Sequence, residues 1–189
     1  MLETDSTVVK AVGEHEEWLR SWGERGKRAK IQDTSLCGSS VFRDRDLRYA
    51  SFKNVAFTEC DFTRANLVGA ELRGDFNGSV FRHADLSHAD AYGANFENAC
   101  LFNASLHKAM LCRANMRGAD LRGSTVCWAL LSETDLRNAE LDEYVVFEIM
   151  RLYWGVVNSE FNGDKGARRN MPLLDDYVYE FMRGFAFGG

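Results

Sequence analysis

The sequence predicts a mainly β fold, a four-sided β-helix with helical segments at both ends. Three observations predict it: an apolar residue recurring every fifth position, a small residue two places before each, and the failure of that spacing to fit a single helix or strand. From Phe76 onward the recurring residues are Phe76, Phe81, Leu86, Ala91, Phe96, Leu101, Leu106, Leu111, Met116, Leu121, Val126, Leu131, Leu136 and Leu141. The small partners run from Ser79, Ala84 and Ala89 to Ala129, Thr134 and Ala139. A 3.6-residue period would drift off this pattern, and a period of two would send alternate centres to opposite faces of a sheet. The chain must turn once per repeat. Four repeats then close one coil, with centre and small residue inside and three positions outside, and coils stack at the strand spacing of ~4.8 Å.

The remaining positions agree with turns. Asp85, Asp90, Asn95, Asn115, Asp120 and Asp135 precede their centres, where a short polar side chain can hydrogen-bond to nearby backbone. A second register passes through Leu47, Phe52, Phe57, Phe62, Leu67 and Leu72. It is one residue out of step with Phe76, and Leu36 to Leu47 is one residue too long, so irregularities are expected at Arg73 to Gly78 and at Ser40 to Asp46. Aligning coils across the deletion places Phe57, Phe76, Phe96, Met116 and Leu136 on one side and Phe62, Phe81, Leu101, Leu121 and Leu141 on the next. The third carries Leu47, Leu67, Leu86, Leu106 and Val126, and the fourth Phe52, Leu72, Ala91, Leu111 and Leu131. Phenylalanine gathers in the early coils as one aromatic core.

Segments such as A-D-L-S-H, A-N-F-E-N, A-N-M-R-G and A-D-L-R-G resemble the pentapeptide-repeat family, over about residues 29 to 143. The resemblance implies a right-handed quadrilateral β-helix. The W-L-x-x-x-G-x-x-G-x-R-A string is similar to a helical lead-in that precedes the repeats in some members.

An open β-helix exposes edges that repeat arrays must cover, which divides the chain into an N-terminal helical cap (1–28), the β-helix (29–143) and a C-terminal cap or dimerisation element (144–189). Val8, Val9, Val12, Trp18 and Leu19 suggest an amphipathic helix ended by Gly23 and Gly26. Tyr144 to Asn158 is apolar nearly all round, with Glu148, Arg151, Gly155 and Asn158 as a thin polar stripe. A final helix follows the polar loop NGDKGARRN, with Leu173, Leu174, Tyr177, Val178, Phe181, Met182 and Phe185 as its stripe. Tyr144, Phe147, Met150, Tyr153, Trp154, Tyr177, Phe181 and Phe185 therefore either cap the last coil or pair two copies; several relatives that the resemblance brings in dimerise through a C-terminal element.

The outer positions mix signs: Arg64, Arg82, Arg113, Arg117, Arg122 and Arg137 stand among acids, with His83, His88, His107 and Lys108. The histidines lack metal-ligand spacing. Large apolar residues at outward places are less usual: Tyr92, Phe102, Met110, Trp128 and Leu130 form the candidate partner surface, with Trp128 as anchor.

The 189-residue chain is 46% hydrophobic, has a single proline and carries a net charge of −5, which disfavours direct nucleic-acid or anionic-membrane binding. Nothing approaches the ~18 apolar residues of a membrane span, no signal peptide is legible, and five cysteines without C-x-x-C suit reduced thiols, so a cytoplasmic address is expected. No catalytic motif, cofactor motif or paired carboxylates stand out. The expected function is a non-enzymatic protein-interaction scaffold. The resemblance implies an alternative, a DNA mimic that binds type II topoisomerase (DNA gyrase) and inhibits it or protects it from antibiotic poisons. That role asks for an acidic stripe, which these arginines interrupt. A capped structural rod without its own partner is the third reading.

Overall fold

The five-residue period arises from a turn that closes on itself. In the computed structural model, which describes residues 2–161, 172–176 and 178–180, the N–H of nearly every small residue donates to the carbonyl of the preceding centre, as from Ala50 to Leu47 and from Ala109 to Leu106, both 3.0 Å. The residue just before the small one takes a positive φ at nearly every corner, from Tyr49 (63°) through His83 (58°) and Lys108 (56°) to Asn138 (59°), with Gly69, Gly78, Gly93, Gly118 and Gly123 at the rest. One left-handed residue at the third place of a closed four-residue turn is the type II pattern. Centres and small residues point inward and are buried.

The coils are bound by parallel pairing. Along one side Asp46, Asn66, Asp85, Ser105 and Thr125 bridge in turn, along the next Glu71, Asp90, Met110 and Leu130, and the remaining two carry Asp61 to Glu140 and Asp75 to Asp135. These rows place the centres on the four sides that the sequence alignment assigns. Among the described residues continuous strands occur only in the early coils: β1 (Lys30–Gln32), β2 (Ser35–Cys37), β3 (Ser51–Thr58) and β4 (Glu71–Asp75). β1, β2 and β4 all pair with β3, bringing Ile31 opposite Phe52, Leu36 opposite Phe57 and Phe52 opposite Leu72.

Both expected irregularities are present, and their positions are informative. Between β3 and β4 the register slips, Lys53 facing Arg73 while Val55 faces Gly74, so that Asn54 bulges and the corner after Leu72 is missing. Gly74 makes this passage fit: a Cβ there would lie 2.5 Å from Val55 Cγ2 and 2.7 Å from the Val55 carbonyl oxygen. In the same region the turn between Phe57 and Cys60 is closed through a side chain. The Ser79 hydroxyl donates to the Phe57 carbonyl (2.6 Å) and accepts from the Cys60 N–H (2.9 Å). The other irregularity lies earlier than expected and overlaps Ser40 to Asp46 only at its start. Phe42 is a fully buried centre, five residues before Leu47, with Asp44 at its left-handed corner (58°); the extra residue therefore falls between Gly38 and Phe42.

Stacked phenylalanines fill the early coils. Phe62 lies face to face between Phe42 (4.5 Å, 2°) and Phe81 (4.6 Å, 6°), and Phe76 stacks on Phe96 at 5.3 Å. Ring pairs of this kind are worth about 0.5–1.5 kcal/mol beyond their burial. Toward the other end Leu, Met and Val replace them.

Helix α1 (Leu2–Arg20) buries Val8 and Val12 in the core with Ile31 and Leu36, whereas Val9, expected on the buried stripe, is half exposed. Its last turn closes with Gly23 N–H on the Trp18 carbonyl (2.9 Å) and Trp22 N–H on that of Leu19 (3.3 Å), which puts Trp22 (φ 57°), and not a glycine, in the left-handed position. Gly26 then passes against the helix so closely that a Cβ would sit 2.2 Å from the Glu14 carbonyl oxygen. His15 is buried beneath this crossing, stacked on Trp18 at 5.7 Å, its Nδ1 accepting from the Ala29 N–H (3.1 Å).

At the other end α2 (Glu143–Phe161) follows the last coil and buries Val145, Val146, Ile149 and Met150. The stretch expected to open a final helix begins otherwise. Leu173 bridges to Asp135, taking the Leu136 N–H (2.8 Å) and donating to the Thr134 carbonyl (2.7 Å), and Leu174 turns inward like a centre. Helix is present only from Asp176, so these two leucines add a rung to one side before it begins.

Three outcomes test these packing assignments. Phe62→Ala, which empties the middle of a ring stack, lowers stability by about 3–5 kcal/mol in denaturant titration. Ser79→Ala and Ser124→Ala occupy equivalent repeat positions but have opposite signs: the first breaks the bridged turn and costs about 1–3 kcal/mol, whereas the second removes a buried hydroxyl without a hydrogen-bond partner among the described residues and leaves stability unchanged or higher. Burial lowers the His15 pKa from its ordinary 6.5, against the pull of the Arg48 carbonyl and Asp46. Its neutral form therefore stabilises α1 fully above pH 6.5, and that contribution falls as pH drops through the lowered native value. Melting temperatures at pH 7.5 and 5.5 show this dependence in the native chain and a reduced one in His15→Asn.

Candidate interaction surface

Outward side chains are ordered by the same ladders. On the side whose centres are Leu72, Ala91, Leu111 and Leu131, the row before each centre reads Glu71, Asp90, Met110 and Leu130. The first two are held by Arg73, which pairs with both. The last two are apolar and open, Met110 exposed by 41% and Leu130 by 53%. Tyr92 lies on the same side, half exposed, its phenol oxygen accepting from Arg113 (3.0 Å), and Arg113 continues to Glu133 at 3.0 Å.

Trp128 occupies the corner next to Leu130, with φ of 60° and 60% exposure. Arg151 of α2 lies over its ring at 5.5 Å and also reaches Glu148 (2.8 Å) and the Cys127 sulfur (3.2 Å). The helix thus comes back as far as this corner, while Met110 and Leu130 remain open. Phe102 is not part of the cluster. Two repeats separate its centre, Leu101, from Leu111, which puts it on the opposite side of the square, half buried with Arg82 over its ring at 5.2 Å.

Among the C-terminal candidates, Met150 is 4% exposed and belongs to the core. Tyr144 and Phe147 are half exposed and share a helix face with Arg151, three and seven residues along. Tyr153, Trp154, Tyr177, Phe181 and Phe185 lie outside the described side chains. Trp22, 96% exposed, and half-exposed Tyr49 are exposed aromatics that pattern reading passes over. Their signal is the left-handed backbone that both adopt, which turns a side chain outward whatever its polarity.

Charge on the outer faces is largely paired within the chain. Arg64 binds Asp44 (2.5 Å), Arg43 binds Asp61 (2.8 Å), Arg122 spans Asp120 and Glu140, and Arg137 binds Asp135 (2.6 Å). The Arg122 and Arg137 guanidiniums hold the carboxyls of Asp120 and Asp135 below the usual carboxylate range. Among the described residues no cluster of His, Cys, Asp and Glu has the geometry to hold a metal ion, and no helix is long and apolar enough to cross a membrane.

The model of pentapeptide repeats, in eight copies, matches residues 40–74, 75–107 and 92–126. Over these residues the chain is similar to the pentapeptide-repeat family. No curated protein is similar to the chain at a significant level. Among solved structures, a pentapeptide repeat protein of the cyanobacterium Cyanothece 51142 is 21% identical with a TM-score of 0.41, covering 61% of this chain and 82% of its own. One from the Arabidopsis thaliana thylakoid lumen is 26% identical, TM-score 0.25, covering 62% and 75%. Full-length QnrB1, a plasmid-mediated fluoroquinolone resistance protein, is 17% identical, TM-score 0.21, covering 84% and 100%.

The Trp128 corner allows a direct check of this surface. A left-handed backbone costs a side-chain-bearing residue roughly 1–2 kcal/mol, whereas an exposed cation–π contact returns about 0.5–1 kcal/mol. Trp128→Gly, which relieves the first and loses the second, is expected to leave the melting temperature equal or higher.

Proposed function

We propose that this protein is a non-enzymatic protein-interaction scaffold in which residues 29–143 form a rigid rod and residues 1–28 and 144–189 close its ends. The observation that carries the reading is the stacking of Met110 and Leu130 in adjacent coils, open to solvent beside Trp128. A wall so laddered loses little conformational entropy when a partner docks, and apolar side chains set in an otherwise ion-paired surface supply the contact. Trp128, Met110 and Leu130 form the centre of the docking surface, and Tyr92 with Arg113 its polar margin. The exposed Tyr144 and Phe147 of α2 pair two copies of the chain. Five cysteines outside any disulfide among the described residues suit a reducing, cytoplasmic setting.

The topoisomerase reading has less support. Mimicry of duplex DNA needs a run of free carboxylates, and here Asp44, Asp61, Asp120, Glu133 and Asp135 are each bound by an arginine.

Site-specific photo-crosslinking from position 110 in the source cell, followed by mass spectrometry, is expected to capture one protein reproducibly. Leu130→Arg and Trp128→Gly remove that adduct without lowering the melting temperature. Capture unaffected by both variants would place the partner elsewhere. Gyrase supercoiling, with and without a fluoroquinolone, is expected to be unchanged by the purified chain; inhibition or protection would replace the scaffold with the topoisomerase reading. Sedimentation is expected to show a dimer that Phe147→Glu dissociates.

A further inference from the structure

At the opposite end of the rod the first rung leaves a strand edge unpaired by another strand. Among the described residues β1 pairs through one edge only, with β3, in the register Lys30–Ser51, Ile31–Phe52 and Gln32–Lys53. Ser51 N–H goes to the Ala29 carbonyl (2.9 Å) and Asp33 N–H to the Lys53 carbonyl (3.2 Å). Alternation along a parallel ladder therefore turns the Ile31 amide groups toward β3 and those of Lys30 and Gln32 away from it. The Thr34 hydroxyl binds the Gln32 carbonyl (2.8 Å) and so terminates the edge at that point. Facing this edge is α1, and between the two runs a groove of roughly 420 Å³ whose helical wall is Thr7, Val8 and Ala11 and whose other wall is Lys30 to Gln32 with Thr34.

We propose that this groove takes up an extended, acidic segment of a partner protein as an added strand. The edge sets the backbone conformation of the occupant, since outward amide groups on alternate residues are met only by another strand. The small side chains at Thr7 and Ala11 leave room for its alternate side chains against the helix. Charge sets the composition: an adjoining hollow shares Lys30 and Gln32 and is rimmed by Arg28 and Lys53. Glu71 in that rim is already bound by Lys53 (2.9 Å) and Arg73 (3.6 Å), whereas Lys30 has no ion pair among the described residues. The rim therefore favours carboxylates on the incoming strand, and the site is independent of the Trp128 surface at the far end.

The probe is an acetylated and amidated six-residue peptide alternating Asp and Val, titrated into the full 15N-labelled chain. Resonances of Lys30 to Thr34 and Thr7 to Ala11 are expected to shift together, with slowed hydrogen exchange at the Lys30 and Gln32 amides. Replacing Asp by Lys in the peptide, or methylating its alternate backbone nitrogens, is expected to weaken binding at least about ten-fold. Gln32→Pro removes one outward N–H without touching the ladder to β3 and should do the same; Lys30→Glu, which leaves the backbone intact, should invert the preference between the Asp and Lys peptides. The proposal is overturned by an absence of shifts at millimolar peptide, by shifts confined to another part of the rod, or by binding that N-methylation leaves unchanged.

Discussion

One backbone conformation governs this molecule: a left-handed residue at the third place of every turn. Each such residue turns the chain and lets the next N–H reach back to the centre carbonyl. Everything regular follows from that closure, including the inward pairing of a large and a small side chain and the parallel rows that join coil to coil. The strain of placing Tyr49, His83 or Arg113 in that region is offset by coil-to-coil hydrogen bonds, since the N–H of each donates to a carbonyl of the adjoining coil, Val68, Phe102 and Ser132 respectively.

Where the turn fails, side chains take over its work. The missing corner after Leu72 is passed by an extended strand that only Gly74 fits, and the neighbouring turn is completed by the Ser79 hydroxyl. The deletion leaves the packing of the axis intact: Phe57, Phe76 and Phe96 still follow one another on one side, because the loss is absorbed within the Asn54 bulge.

The repeat and the assignment of its centres to four sides were legible because burial fixes the same two positions in unit after unit, and errors cannot accumulate without exposing a centre. Phe42 was not legible, since the extra residue before it breaks the count. Leu173 and Leu174 carry an apolar spacing that suits a helix stripe, and only pairing with Asp135 decides for a strand. The candidate surface was half legible. Sequence marks a residue as outward without saying which neighbours share its wall, so Phe102 was grouped with side chains on the far side of the square, and Met150 was counted as available when α2 buries it. Trp22 escaped because its exposure comes from its backbone angle.

The aromatic stack ends at Phe96, and aliphatic side chains fill every coil after it. Each coil touches only its neighbours, so cohesion along such an array is local, and a rod with unlike halves has no single breaking strength. Pulled from its termini, this one should come apart from the aliphatic end, shedding coils in order until the force meets the rings. The surface beside Trp128 lies in the half that yields first, and the groove beside α1 in the half that holds. A load borne along the axis would therefore open the proposed docking surface first and leave the proposed groove closed.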